Sequence, residues 1–485
     1  MNYISTRTAD SEKRSAAYVI KKGLAPDGGL YVPECIPALS KEDIEKLIGM
    51  NYIERATYIL SLFLTDYSVE ELNEAANAAY SAEKFNGPAA PIARVGDDYF
   101  LELWHGPTSA FKDMALQIMP RLLSLSLGKT GETKDAYILV ATSGDTGKAA
   151  LEGYCDVDRV KIQVFYPVDG VSNIQKKQMA SQKGSNVNVV SINGNFDDAQ
   201  SGVKAIFANE DAKRQLDENG YFFSSANSIN WGRLAPQIVY YVSAYCDLVA
   251  EGEIKYGELL DVTVPTGNFG NILAAYIAKK MGVPLGKLVC ASNKNDILTD
   301  FINKGVYDKR REFFTTVSPS MDILISSNLE RLLWFVLGAD KTRECMEKLN
   351  KEGIYTLDEA SMEIIRSDFA GISCSEEETK STISDLFAEC GYLCDTHTAV
   401  AAKAAKEYKA NSKNKMLIVS TASPYKFAPA VLSALGEEVP SDDFDALDKL
   451  FAVTKCAVPQ NLANLRDAEV RFTKTINPEE MINSL

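Results

Sequence analysis

The 485-residue chain contains only two histidines, His105 and His397, which excludes a histidine-rich metal site. Positive charge is also scarce: 51 Lys and Arg stand against 66 Asp and Glu, for a formal net charge of −15. Phosphate backbones are bound by clustered cations, so this balance argues against a nucleic-acid surface. A small anionic substrate stays compatible, because a few cationic groups and backbone amides can hold one locally. No apolar run approaches the length of a membrane span, and residues 1–7 have no basic segment followed by an apolar one. The expectation is a protein with no secretory signal and no membrane partner. The nine cysteines are scattered, and Cys390 and Cys394 lack the two-residue spacing of a zinc or dithiol motif. They predict reduced core residues in a cytoplasmic protein. The remainder, 46% hydrophobic and 24% charged, is ordinary globular composition, at a length that suggests about two to four domains.

What is present centres on one lysine. From Phe111 the apolar residues recur at Met114, Ala115, Ile118, Met119 and Leu122, the stripe of an amphipathic helix. Lys112 lies beside that stripe, so its amine stands at the edge of a packed face. With Thr108 or Ser109 as cap, Lys112 falls in the first helical turn, where the helix dipole disfavours a further positive charge. Desolvation and dipole both lower an ammonium pKa, and a neutral amine is a nucleophile of the kind a Schiff-base lysine must be. Helix geometry by itself favours the plainer reading, in which Lys112 reaches out into water like most lysines.

Residues 1–95 carry helical patterns, such as 41–50 and 69–80, and a Pro-Asp-Gly turn leading into a short strand that ends at Pro33. From Asp135 short apolar runs alternate with helical patterns. The runs 137–141, 161–166, 187–192, 261–264, 287–291 and 416–420 read as buried strands; 149–155, 174–182, 197–208 and 272–281 read as helices. This alternation predicts an α/β fold with one or two parallel sheets covered on both faces. A largely helical segment follows over 329–369, and no structure is assigned beyond about residue 435. The expected organisation is an N-terminal domain (1–95), a core (96–435) and a C-terminal extension (436–485).

Several turns are rich in small or polar residues. Thr142-Ser143-Gly144-Asp145-Thr146-Gly147 joins a strand to a helix, where backbone N–H groups can face an anion. It is not a Walker A loop, since Ala149 follows Lys148; the plain alternative is a tight turn capped by Ser143 or Asp145. In Pro265-Thr266-Gly267-Asn268-Phe269-Gly270-Asn271 the two glycines permit close approach to a phosphate, and an ordinary turn is again the alternative. Ser420 to Phe427 ends the last strand, with Ser423 placed to cap a helix opening at Pro424. Ser228, Asn230 and Arg233 cluster at a helix start, able to converge on an anion or simply to cap a helix beside a solvated arginine. The stretch Ser318 to Arg331 carries no evident chemistry and reads as structural.

The run His105-Gly-Pro-Thr-x-Ala-Phe-Lys112-Asp113 resembles the lysine segment of pyridoxal-phosphate enzymes of fold type II, most closely that of the threonine synthase family. Ser5-Thr-Arg7 and Gly23 to Pro33 resemble the N-terminal region of the same family, which dehydratases lack. Motifs from about residue 5 to 427 match it in order. The resemblance implies two parallel-sheet α/β lobes with an additional, mainly helical N-terminal domain, and pyridoxal 5'-phosphate carried by Lys112 as a Schiff base. It further implies that Asp145 and Thr421 meet the cofactor ring and that Gly267, Asn268, Phe269, Gly270 and Asn271 hold its phosphate. Thr142, Ser143 and Thr146 would meet the substrate carboxylate, and Ser228, Asn230 and Arg233 the substrate phosphate. The implied reaction converts O-phospho-L-homoserine and water to L-threonine and phosphate. The rivals are a serine or threonine dehydratase, which needs no second anion site, and a non-catalytic member of the fold. His105 is expected to pack rather than transfer protons, and a monomer and a homodimer are both compatible.

Overall fold

The computed structural model describes residues 1–8 and 12–485. Strands β1 (Tyr3–Ser5) and β2 (Tyr31–Pro33) pair antiparallel, so the two N-terminal motifs form one unit. The helices Lys41–Ile48, Tyr52–Phe63 and Val69–Tyr80 follow, each opened by a capping box in which Ser40, Asn51 or Ser68 pairs with an acidic residue three positions on. This N-terminal region is tied down at a distance. Arg7 makes a two-pronged ion pair with Glu330 (2.9 and 2.8 Å), and Thr6 donates to the same carboxylate at 2.6 Å.

The hairpin β3 (Ile92–Val95) and β4 (Asp98–Glu102) leads into the alternating part of the chain. There follow β5 (Asp135–Ala141), β6 (Val160–Pro167), β7 (Val187–Ile192), β8 (Tyr221–Ser224), β9 (Leu260–Pro265) and β10 (Leu285–Ser292). A small antiparallel pair, β11 (Val306–Asp308) with β12 (Ile354–Thr356), precedes β13 (Phe369–Ser373), β14 (Lys415–Ser420) and β15 (Thr475–Ile476). One sheet runs β13-β10-β9-β14-β4-β3, parallel except at the β3–β4 hairpin; the other runs β15-β7-β6-β5-β8 and is parallel throughout. The strand alternation thus resolves into two α/β lobes, with the mainly helical region added before them.

The helix Trp231–Ala250 is buried along almost its whole length, as expected of a helix apolar all round. Trp231 at its start is fully buried against Tyr3 and Phe63, at ring separations of 5.4 and 5.7 Å. It joins the N-terminal region to the common core.

The continuous helix expected from Phe111 onward is broken. Asp113–Leu116 forms one turn, and a second helix, Met119–Lys129, starts after an interruption. Pro120 is the cause: it has no N–H to give to the Leu116 carbonyl, and its ring would press on that carbonyl in an unbroken helix. Neither Thr108 nor Ser109 caps the turn. Instead the Asp113 carboxylate accepts from the Thr108 N–H (2.8 Å) and hydroxyl (2.7 Å), and Lys112 itself holds the capping position.

The segment after residue 435 is folded back onto the rest. Helix Asp443–Thr454 buries Ala446, Leu447 and Leu450 against Val431, Leu432 and Ile174, and β15 adds a parallel strand beside β7.

Candidate active site

A cavity of about 260 Å³ lies where β5, β9 and β14 end, the carboxyl-end crevice in which α/β sheets place their ligands. Lys112 is the only lysine on its wall. Its side chain is 11% exposed, and its Nζ lies 3.2 Å from Ser320 Oγ and 3.5 Å from Asp145 Oδ2. Burial lowers the Lys112 pKa; Asp145 opposes this, while Lys426 and Arg233 add to it. The amine is thereby biased toward its neutral, nucleophilic form.

The loop after β5 behaves differently from a bare anion nest. Thr142 Oγ1 accepts from the N–H groups of Gly144 (3.0 Å) and Gly147 (2.9 Å), so those two amides are already occupied. Gly144 holds the cap position of helix Asp145–Tyr154 without a side-chain cap, so neither Ser143 nor Asp145 plays that part. Thr142, Ser143 and Thr146 face the cavity. Asp145 does not: its carboxylate turns to Lys426 Nζ at 2.6 Å and to Gln175 Nε2 at 2.9 Å. Burial alone would raise that carboxyl, but Lys426 and then Lys112 outweigh it and hold it far below the usual carboxylate range.

After β9 the cavity wall is the turn Pro265 to Asn271. Phe269 takes a left-handed conformation (φ 61°) to start helix Gly270–Lys280, which has no side-chain cap. A Cβ on Gly267 would lie 2.6 Å from the Ser320 carbonyl oxygen, so only glycine fits. Asn271 receives the hydroxyls of Tyr240 (2.7 Å) and Tyr241 (2.5 Å) on Oδ1, while its buried Nδ2 has no partner among the described residues. An uncapped helix start beside an unused buried donor suits a phosphate group.

A second donor is unused elsewhere on the wall. Arg233 is buried and gives one hydrogen bond to Ala226 O (2.8 Å); among the described residues it forms no ion pair and its Nε has no partner. Burial lowers its pKa to about 10, which leaves it charged near neutrality. Ser228 joins it on the cavity wall, but Asn230 does not. The Asn230 side chain accepts from Gly232 N–H (2.8 Å) and donates to Ile20 O (2.8 Å), so it caps the helix and binds the N-terminal region. Asn328 bridges the two donor-bearing loops, giving its amide to Ser228 O (3.3 Å) and Asn268 O (3.1 Å).

Thr421, at the end of β14, is on the wall, and its carbonyl accepts from Phe111 N–H at 2.8 Å, next to Lys112. Ser320 and Met321 also line the cavity, so the stretch read as structural contributes to the site. His397 is another such residue: its Nδ1 pairs with Asp395 (2.7 Å) and its Nε2 accepts from Ser320 N–H (3.1 Å). Its only sequence signal is a histidine two positions after a capping aspartate. His105 stays off the wall, stacked on Trp104 at 4.3 Å and paired with Glu102 at 2.7 Å. A wider groove of about 980 Å³, between Lys84, Lys148, Gln182 and Asn461, has none of these loops.

A near-buried lysine with a lowered pKa, facing a glycine turn with an unused donor at the ends of parallel strands, fits pyridoxal 5'-phosphate. The chain matches the family described as "Pyridoxal-phosphate dependent enzyme" over residues 93–422, and this is the class, of fold type II, that fold and site define. Flanking matches are to "Threonine synthase N terminus" over 2–80 and "Threonine synthase, C-terminal" over 398–484. It is 37% identical to a threonine synthase of Pseudomonas aeruginosa, covering 99% of this chain and 96% of that one. The solved structure of pyridoxal-phosphate-bound threonine synthase from Brucella melitensis superposes with a TM-score of 0.89 at 37% identity, covering 100% of this chain and 99% of that chain. Threonine synthase-like 1 of Pongo abelii is 41% identical over 89% of this chain, which spans 60% of that relative's length. The chain belongs to the threonine synthase family.

Proposed function

We propose that the chain is a pyridoxal-phosphate-dependent lyase that converts O-phospho-L-homoserine and water to L-threonine and phosphate. The observation that carries this reading is the pair of unused buried donors, Asn271 Nδ2 and Arg233 Nε, on separate parts of one cavity wall. A cofactor phosphate and a substrate phosphate together require two phosphate sites; a dehydratase requires one. The glycine turn, Gly267 to Asn271, holds the cofactor phosphate, and Thr421 meets the ring nitrogen with a neutral hydroxyl. Arg233 and Ser228 take the substrate phosphate, while Thr142, Ser143 and Thr146 receive the carboxylate. Asn230 and Asp145 serve from behind these groups.

When bound, the cofactor supplies an electron sink for the carbanion formed at the substrate Cα. Lys112, once its amine is released, removes the Cα proton and then acts at Cβ. Arg233 stabilises the charge that develops on the departing phosphate. Ser320 accepts from the lysine amine at 3.2 Å and so orients it on the cavity wall. The location is cytoplasmic and the state monomeric or homodimeric in this reading; no helix among the described residues is long and apolar enough to cross a membrane.

The test is product analysis of the cofactor-loaded chain with O-phospho-L-homoserine. Equal amounts of threonine and phosphate are expected. Phosphate with 2-oxobutyrate in place of threonine would overturn the reaction while keeping the cofactor. A separate prediction concerns Gly267→Ala, whose added methyl group meets the Ser320 carbonyl oxygen at 2.6 Å. It is expected to weaken cofactor binding about tenfold or more, roughly 1.4 kcal/mol, as read by absorbance titration with pyridoxal phosphate.

A further inference from the structure

Three charged side chains meet behind the cavity, and only one of them faces it. Lys426, from the Ser420–Phe427 stretch, has no exposed side-chain surface and lies 2.6 Å from Asp145 Oδ1. It also donates to Thr108 O at 3.0 Å, in the segment that leads to Lys112. Lys112 is the looser partner of the same carboxylate, at 3.5 Å. With Lys112 as its only counter-ion, a buried Asp145 would hold the Lys112 proton strongly, because losing it would leave a carboxylate uncompensated. With Lys426 in place, Asp145 remains paired whatever the charge on Lys112.

We propose that Lys426 is a positioning residue that takes up the charge of Asp145 and thereby lets Lys112 exist as a free amine. Gln175 assists by binding Asp145 Oδ1 at 2.9 Å, which fixes the carboxylate on the side away from the cavity. The other ionisable groups near Lys112 act in the same direction or are already engaged. Arg233, from helix Trp231–Ala250, disfavours a second positive charge. His397, from helix Thr396–Lys409, is bound to Asp395, and the neighbouring Asp113 carboxylate is bound to Thr108. Lys426 itself touches neither the cavity nor anything in it, since it is absent from the wall. Its effect is exerted through Asp145 and by repulsion of a protonated Lys112.

The inference rests on Lys112 being the amine used in the reaction proposed above, but its test reads the amine directly. In the full-length chain without cofactor, the rate of acetylation of Lys112 is followed against pH by mass spectrometry. Lys426→Met is expected to move the apparent pKa of Lys112 upward by about one pH unit or more, whereas Asp145→Asn moves it downward. Lys426→Arg keeps the charge and is expected to stay within a few tenths of wild type. A general disturbance of packing would not shift the two neutralising variants in opposite directions. If Lys426→Met does not fold, the double variant with Asp145→Asn replaces it and is expected to titrate above Asp145→Asn alone. An unshifted or lowered pKa in Lys426→Met, or in that double variant relative to Asp145→Asn, overturns the proposal; so does an arginine variant that shifts as far as methionine. A chain that makes no threonine yet shows the opposite shifts loses the proposed reaction and keeps this inference.

Discussion

Lys112→Ala is expected to reduce threonine formation from O-phospho-L-homoserine by at least about a thousandfold, close to 4 kcal/mol of barrier, with the fold intact. Two observations set that size. Lys112 is the only lysine on the cavity wall, so no second amine stands ready to take its place as nucleophile and base. Its loss also leaves no buried charge unpaired, because Asp145 keeps Lys426 at 2.6 Å and Gln175 at 2.9 Å. The measurement is the rate of threonine and phosphate release by the variant reconstituted with cofactor, alongside its circular dichroism spectrum. Activity within tenfold of wild type, in a folded variant, would remove Lys112 from the centre of the mechanism.

Gly153→Ala should be the most damaging glycine-to-alanine change among the described residues. Gly153 lies in helix Asp145–Tyr154, and a Cβ there would fall 1.9 Å from the Leu116 carbonyl oxygen and 2.7 Å from its carbon. Both are backbone atoms of the turn Asp113–Leu116, so no side chain can move aside. The helix and the turn must part, and they carry Asp145 and Lys112 respectively. A loss of about 3 kcal/mol or more is expected, at the upper end for overpacking, seen as a lower urea midpoint at unchanged slope. Gly128→Ala is the control: it is also helical, with nothing within 4 Å of the added methyl, and should be neutral or slightly stabilising. Equal stabilities for the two alanine variants would contradict the close approach.

The strands were legible because each is a short apolar run buried on both faces, and β5, β6, β7, β9, β10 and β14 lie within a residue or two of where the alternation puts them. Turns at their ends were legible through glycine, which marks close approach. The short strands β8 and β13 gave no such signal, being half-buried over most of their length. The break in the lysine helix was written in Pro120, whose effect on Leu116 outweighs an apolar stripe that continues past it. Asn230 shows why a cluster of polar residues at a helix start is ambiguous: capping and ligand binding call for the same side chains, and only direction separates them. Lys426, His397 and Ser320 were out of reach for a different reason. Each is defined by a partner far away in sequence, Lys426 by Asp145 and Ser320 by Lys112, and no local pattern encodes such a meeting. Helix Asp443–Thr454 packs its apolar residues into a cluster completed by Ile174 and Ile383, side chains remote in sequence, so its own periodicity does not say where it docks.

The position of β14 has a consequence for how the molecule is made. It lies between β9 and β4, and those strands have no neighbour on that side until residues 415–420 have been synthesised. The edge of β7 likewise waits for Thr475 and Ile476. A nascent chain therefore carries two incomplete parallel sheets until these late strands have followed, with unpaired edges of the kind that recruit other strands. Pairings of such long sequence separation predict slow closure, and a demand for chaperone protection, that the stability of the finished fold would not reveal. The same order of events brings Lys426 to Asp145 only at the end, so the reactive amine is poised last, when the cavity around it has closed.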